Sequence, residues 1–297
     1  MKRFSHVFLG RLYSDREILF LLDHFRDGFL AVDFLPDRVS LDSVTVVYSL
    51  QEWKEPVFPE LDLEFDHATG RFYGLIPLKG AASICYRFKI VENRSIRWED
   101  REKRNWFINT SRAITYSRED HITARTAELL SSGAVIGWFQ GRSEFGSRAL
   151  GNRSLLADPR SSTVKDRLNS EIKKREWFRP YAPAVLEEAA ADYFTPAEPS
   201  PFMMLVAEVK REKRSLIPAV THIDGTARYQ TVSREPNPRF HELISEFERI
   251  TGVPVLLNTS FNLADEPIVE TPLDALSSFL NAPIDYLVIG DFLVSKL

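Results

Sequence analysis

The chain has 297 residues, 44% hydrophobic and 27% charged, with a formal net charge of -4. That is enough apolar material for one or two domains with real cores, and the mild acidity gives no general attraction to nucleic acid or a membrane surface. The single cysteine, Cys85, excludes an internal disulfide framework and a cysteine-only metal site; no apolar run reaches transmembrane length, so a cytoplasmic protein is expected.

LYSDREILFLLDHF predicts a helix: Ser14 and Glu17 form a capping-box pattern, and Ile18, Leu21, Leu22 and Phe25 make an apolar stripe. The pattern then changes. VTVVYSL, GRFYGLIPL and SICYRFKIVE are strand-like runs separated by the turn-rich DHATG, KGAA and ENRS. They predict a small all-β module over 27–110.

Helical signals return at YSREDHITARTAELLSSG, where Ser117 and Asp120 are expected to cap the first turn and Gly133 to end the helix. AVIGWF predicts a strand that runs into a loop of glycines and arginines from Gly141 to Arg160. TVKDRLNSEIKKREWF reads as a helix, and PYAPAVL and PFMMLVAEV as extended segments. RFHELISEFERITG is an amphipathic helix with Phe240, Leu243, Ile244, Phe247 and Ile250 on one side. VPVLLNTSFN predicts a strand ending in a polar loop. TPLDALSSFL opens a helix with Thr271 as cap, Pro272 at the first position and Asp274 at the third, and DYLVIGDFLV is a last strand. This alternation makes 111–297 an α/β domain, with 1–26 a helical segment packing beside it.

Four stretches could carry chemistry. In the first, Arg142, Arg148, Arg153 and Arg160 lie among Gly141, Gly146 and Gly151. Glycines admit close backbone approach and guanidinium groups suit phosphate or carboxylate, whereas a purely structural reading pairs these arginines with Glu144 and Asp158. The second is KKREWFRP, where Arg175 and Arg179 share a face if the helix continues to Pro180. The third is THIDGTARYQTV. There His222 and Asp224, and likewise Arg228 and Gln230, are two apart and share a face on a strand. Two such ligands do not make a metal site. The fourth is LLNTSFNLADEPIV, in which Asn258, Ser260 and Asn262 alternate at a strand end and suit either a nucleotide or a turn. Glu266 there suits orientation of an arginine, a magnesium nucleotide or plain surface. No Ser-His-Asp or Cys-His nucleophile is evident, so the chemistry expected is electrostatic handling of phosphorylated or carboxylated groups.

Together GWFQGRSEFGSRALGNRSLLADPR, KKREWFRPYAPAVL, THIDGTARYQTV and GVPVLLNTSFNLADEPIVETPLDAL resemble the C-terminal half of the ATP-dependent O-carbamoyltransferases of nodulation-factor and antibiotic biosynthesis. The resemblance runs from about Tyr116 to Lys296, and LGRLYSDREI resembles the segment that precedes this half. It implies a twisted-sheet α/β fold like that of YrdC/Sua5. It also implies conversion of carbamoyl phosphate and ATP, with Mg²⁺, to carbamoyl-adenylate for transfer to an acceptor hydroxyl.

Carried onto this chain, the resemblance gives catalytic roles to Arg148, Lys174, Arg175 and Arg228. Gly146, Asn152, Arg153, Arg179, His222, Asp224, Thr226, Gln230, Asn258, Ser260, Asn262 and Glu266 line the pocket, with no protein metal ligand. The family's Kae1-like transfer domain is expected as a separate subunit, and a homodimer is a further expectation. Two departures stand out: Ser147 replaces the usual proline, and Ala264-Asp265 stands where a glycine commonly precedes the glutamate, at a place that would resist positive φ. The β module resembles the immunoglobulin-like starch- and glycogen-binding modules, with Trp53 and Trp98 as sugar platforms or core residues. The competing overall reading is a non-catalytic scaffold that binds a nucleotide or a carbohydrate.

Overall fold

The computed structural model describes residues 12–26, 29–34, 43–49, 60–66, 71–77, 85–92, 95–99 and 113–297. The chain divides into one unit of residues 1–15 with 116–295 and another of 16–115 with 296–297. Helix α1 (Asp15–Arg26) starts directly after Ser14 and buries Ile18, Leu21, Leu22 and Phe25. Strands β1 (Phe29–Phe34), β2 (Ser43–Ser49), β3 (Glu60–Asp62), β4 (Glu64–Asp66), β5 (Arg71–Pro77), β6 (Cys85–Glu92) and β7 (Ser95–Glu99) follow. They form two antiparallel sheets, ordered β1-β5-β4 and β3-β2-β6-β7. Trp98 lies on β7 opposite Lys89 of β6, while Trp53 lies outside the described residues.

The larger unit contains β8 (Ile114–Arg118), α2 (Ile122–Ser131), β9 (Ile136–Phe139), β10 (Arg153–Ala157), α3 (Ser162–Arg167), β11 (Ala182–Leu186), α4 (Ala190–Tyr193) and β12 (Phe194–Thr195). It continues with β13 (Leu205–Val209), β14 (Thr226–Val232), α5 (Pro238–Thr251), β15 (Val255–Ser260), α6 (Pro272–Asn281), β16 (Tyr286–Ile289) and β17 (Phe292–Lys296). A ten-stranded sheet takes the order β12-β13-β14-β11-β15-β10-β9-β16-β17-β8. It is mixed: β11 pairs with β14 in parallel and β9 with β16 in parallel, among antiparallel neighbours. Helix α5 packs on α2, β11 and β15, and α6 on β9 and β16.

The local chemistry explains most boundaries. Asn237 caps α5 by accepting from the Phe240 N–H, Pro238 occupies the first turn, and Gly252 ends the helix at φ +73°. Phe240, Leu243, Ile244 and Phe247 are buried, but Ile250 remains 41% exposed in the last turn before the chain leaves at Gly252. Thr271 and Asp274 complete the capping box of α6.

Four expectations need correction. Helix α2 begins after His121 without a side-chain cap, because the Ser117 hydroxyl donates to Glu119 instead. The glycine-arginine loop contains a strand, β10, whose buried Leu155 and Leu156 sit between β9 and β15. DYLVIGDFLV is a hairpin, β16 and β17, turned at Gly290-Asp291 with Gly290 at φ +59°. The helix expected to reach KKREWF stops early: α3 gives way to a π turn over Leu168–Ile172, and Lys174 takes φ +42°.

Candidate active site

The loop between β9 and β10 is shaped by one carboxylate. Glu144 Oε1 accepts the backbone N–H groups of Leu150 at 2.7 Å, Asn152 at 2.7 Å and Arg153 at 3.3 Å. Asn152 Nδ2 donates to the Arg142 carbonyl at 2.7 Å, closing the loop from the other side. Arg153 is fully buried; it donates to the carbonyls of Gln140, Gly141 and Asn152 and lies 3.6 Å over the Phe139 ring. Asn152 and Arg153 therefore build the loop rather than line a pocket. Asp158 pairs with Arg160 at 2.6 Å. Gly146 stands at φ +113°, and Gly151, at φ +107°, passes so close to Phe240 that any Cβ would overlap the ring.

Arg148 stays exposed on this loop and has no carboxylate partner among the described residues. It lies close enough to Arg228 of β14 to lower that guanidinium's pKa, after the larger effect of Arg228's own burial. Arg228 Nε is buried without a hydrogen-bond acceptor among the described residues. Two like charges without an acid between them suit an anionic ligand.

Two amides hold Arg148's neighbours. Gln230 Nε2 donates to the Leu150 carbonyl at 2.9 Å, and Asn258 Nδ2 donates to the Ala149 carbonyl at 3.1 Å and to Gln230 Oε1 at 2.9 Å. Their strands flank β11, where Ala184 faces Gln230 and Ala182 faces Asn258. The small alanines leave room for the amides to meet. Asn258 Oδ1 is a buried acceptor without a donor among the described residues.

The second cluster gathers around a residue that sequence reasoning passed over. Lys173 is 7% exposed and donates to the carbonyl oxygens of Ser260 at 2.6 Å and Asn262 at 2.9 Å, and to Asn262 Oδ1 at 2.7 Å. Burial, then the Arg175 charge, pulls its pKa down to about 7, against an opposing pull from Glu266. Lys174, the expected catalytic lysine, is exposed. The signal was present: Lys173 lies one helical turn after the buried Asn169, and Lys174 does not.

Arg175 and Arg179 do not share a helix face, because the helix has ended. Arg175 Nε donates to Asn169 Oδ1 at 2.8 Å and its guanidinium lies 4.6 Å over Tyr181, whereas Arg179 pairs with Glu176 at 2.9 Å on the surface. Trp177 and Phe178 meet edge-on and stay exposed.

The Ser260 hydroxyl donates to Asn262 Oδ1 at 2.7 Å, and Asn262 Nδ2 donates to the Glu266 carbonyl at 2.6 Å. Glu266 does not orient an arginine; its carboxylate accepts from the Leu263 N–H and the Ser278 hydroxyl, closing the loop onto α6. Asp265 takes φ +61°, the conformation its side chain resists, so the surrounding hydrogen bonds hold it there.

His222 and Asp224 lie in a turn, not on one strand face: His222 N–H donates to the Thr226 carbonyl at 2.8 Å and Gly225 N–H to the His222 carbonyl at 2.9 Å. Asp224 Oδ1 accepts from the backbone N–H of Thr226 at 2.9 Å and from its hydroxyl at 2.8 Å, which lowers the Asp224 pKa. His222 Nδ1 lies 3.1 Å from the Thr226 hydroxyl oxygen. Burial lowers the imidazole pKa first; Asp224 opposes this, and Arg228 and Lys165 add to it. Lys165 is a further cation near the site that sequence reasoning missed. Among the described residues there is no group of three or more His, Cys, Asp or Glu placed to hold a metal.

The fold thus joins Arg148, Arg228 and His222 in one electrostatic neighbourhood, and Lys173, Arg175, Ser260 and Asn262 in another. Gln230 and Asn258 brace the first. Lys174 and Arg179 stand apart.

A family model described as carbamoyltransferase C-terminus matches residues 127–296. The nodulation protein NolNO of Sinorhizobium fredii is 54% identical over 186 residues, covering 62% of this chain and 27% of that protein. NolO of Bradyrhizobium diazoefficiens is 52% identical over 186 residues, covering 62% and 34%. Nodulation protein U of Sinorhizobium fredii is 46% identical over 139 residues, covering 47% and 25%. The chain spans about a third or less of the length of these relatives.

Proposed function

Because the chain belongs to the carbamoyltransferase C-terminus family over residues 127–296, we propose that it performs the activation half of a carbamoyl transfer. Water first cleaves the donor to phosphate and carbamate, and a carbamate oxygen then attacks the α-phosphorus of ATP, displacing pyrophosphate to give carbamoyl-adenylate. The observation that carries this reading is the Arg148–Arg228 pair, two neighbouring guanidinium groups without a carboxylate between them among the described residues. Such a pair is stabilised by the phosphate of the donor.

Arg175, and Lys173 when protonated, add positive charge at the Ser260–Asn262 loop, where the ATP phosphates are held in this reading. Clustered cations act on phosphoryl chemistry by stabilising charge on the phosphate oxygens and fixing the geometry. Mg²⁺ arrives on the ATP phosphates and takes no protein ligand. The carbamoyl group then passes to an acceptor hydroxyl of a natural product or sugar, with a Kae1-like polypeptide performing the transfer. Among the described residues no helix is long and apolar enough to cross a membrane.

The test is to mix the full chain with ATP, Mg²⁺ and carbamoyl phosphate, without acceptor, and to measure pyrophosphate. Release that requires carbamoyl phosphate is expected. ATP binding without release, even with a Kae1-like partner added, would replace this reading by that of a nucleotide-binding scaffold.

A further inference from the structure

We infer that His222 reads the amide of the carbamoyl donor: its Nε2 is a hydrogen-bond acceptor for the carbamoyl N–H, and Thr226 and Asp224 are positioning residues that hold it in that state. This deepens the function proposed above and rests on it.

The argument is a count of protons along three side chains. Thr226 has one hydroxyl proton, and it goes to Asp224 Oδ1 at 2.8 Å, where the carboxylate charge strengthens the bond. The hydroxyl oxygen can then only accept. His222 Nδ1 lies 3.1 Å from that oxygen, so Nδ1 carries the proton. A neutral imidazole protonated at Nδ1 leaves Nε2 with a bare lone pair. Nε2 has no hydrogen-bond partner among the described residues. The charged groups around the ring are Asp224 on its own turn, Arg228 on β14 and Lys165 on α3; with burial, their net effect favours the neutral ring.

A lone acceptor among cations is selective. Arg148, Arg228 and Lys165 are all donors, so they match phosphate and carbonyl oxygens alike. An acetyl group next to phosphate offers no N–H for Nε2. A carbamoyl group offers two, beside the same carbonyl and phosphate. The arginines therefore recognise the phosphate, and the histidine separates carbamoyl phosphate from acyl phosphates of the same size. An analogue without the N–H leaves this half-buried acceptor to water and forgoes one hydrogen bond, a difference of about tenfold in affinity.

The test uses the full chain labelled with ¹⁵N. Two-bond ¹H–¹⁵N spectra report the tautomer, and loss of a signal in His222→Phe assigns the ring. Wild type is expected as the Nδ1–H tautomer, with Thr226→Val shifting it toward Nε2–H. Titrations with carbamoyl phosphate and with acetyl phosphate then measure the preference. Wild type is expected to favour carbamoyl phosphate about tenfold, and both variants to lose most of that preference while still binding.

An Nε2–H tautomer in the wild type overturns the inference whatever the protein binds. So does a preference that survives in both variants. Wild type that binds neither phosphate while showing the Nδ1–H tautomer overturns the proposed donor, and the carbamoyl role of His222 with it.

Discussion

Lys173 Nζ lies 2.6 Å from the carbonyl oxygen of Ser260, so a lysine at the end of a π turn ties down the loop that follows β15. Its exposed neighbour Lys174 takes no part and instead sits at positive φ. The two lysines therefore predict opposite phenotypes. Lys173→Ala orphans several acceptors and removes a charge from the site; pyrophosphate release is expected to fall about 100-fold or more. Lys174→Gly relieves left-handed backbone and is expected to keep activity and gain up to about 1 kcal/mol. Thermal melts with kinetics on both variants check this, and equal losses would contradict it.

Burial lowers the folded pKa of Lys173 from 10.5 to about 7. Below that pH both folded and unfolded chains hold the proton, and the full cost of burying the charge is present. Between about 7 and 10.5 only the unfolded chain holds it, so this group adds stability as pH rises. Wild type should therefore gain on Lys173→Met between about pH 7 and pH 9.5 in urea titrations. A constant difference between the two proteins would refute the shift.

Arg148 opposes the charge of Arg228 and is itself exposed. Arg148→Ala is expected to leave the melting temperature unchanged or slightly raised, while carbamoyl-dependent pyrophosphate release drops about 100- to 1,000-fold. A stability loss of the same order as the activity loss would instead mark Arg148 as structural.

Gly151 and Gly146 both have positive φ, but only Gly151 faces an obstacle. Gly151→Ala drives a methyl group into the buried Phe240 ring and is expected to cost about 3 kcal/mol or more. Gly146→Ala meets open space and is expected to cost about 1 kcal/mol, from backbone strain alone. Urea midpoints of the two variants check the order.

The cap of α6 and the apolar stripes of α1 and α5 are readable because they depend on neighbours within one or two turns. The pairing of motifs is not. The structural alternative for the glycine-arginine loop makes Glu144 an ion-pair partner of arginines, yet it accepts three backbone N–H groups, a choice made by how the loop folds back on β10. Lys174 comes from the family resemblance alone; the end of the π turn instead buries Lys173 and leaves Lys174 exposed.

By itself the sequence determined which residues could meet anions, since glycine, arginine, lysine, amide and hydroxyl chemistry is local and visible in the four stretches. How they divide the work follows from long-range packing. Arg153 is scaffold and Arg148 is exposed, because one is buried beside β9 and the backbone after the other is held by Gln230 and Asn258. Side-chain fate follows burial and partners brought from 28 to 109 residues away, and such distances carry no period in the sequence.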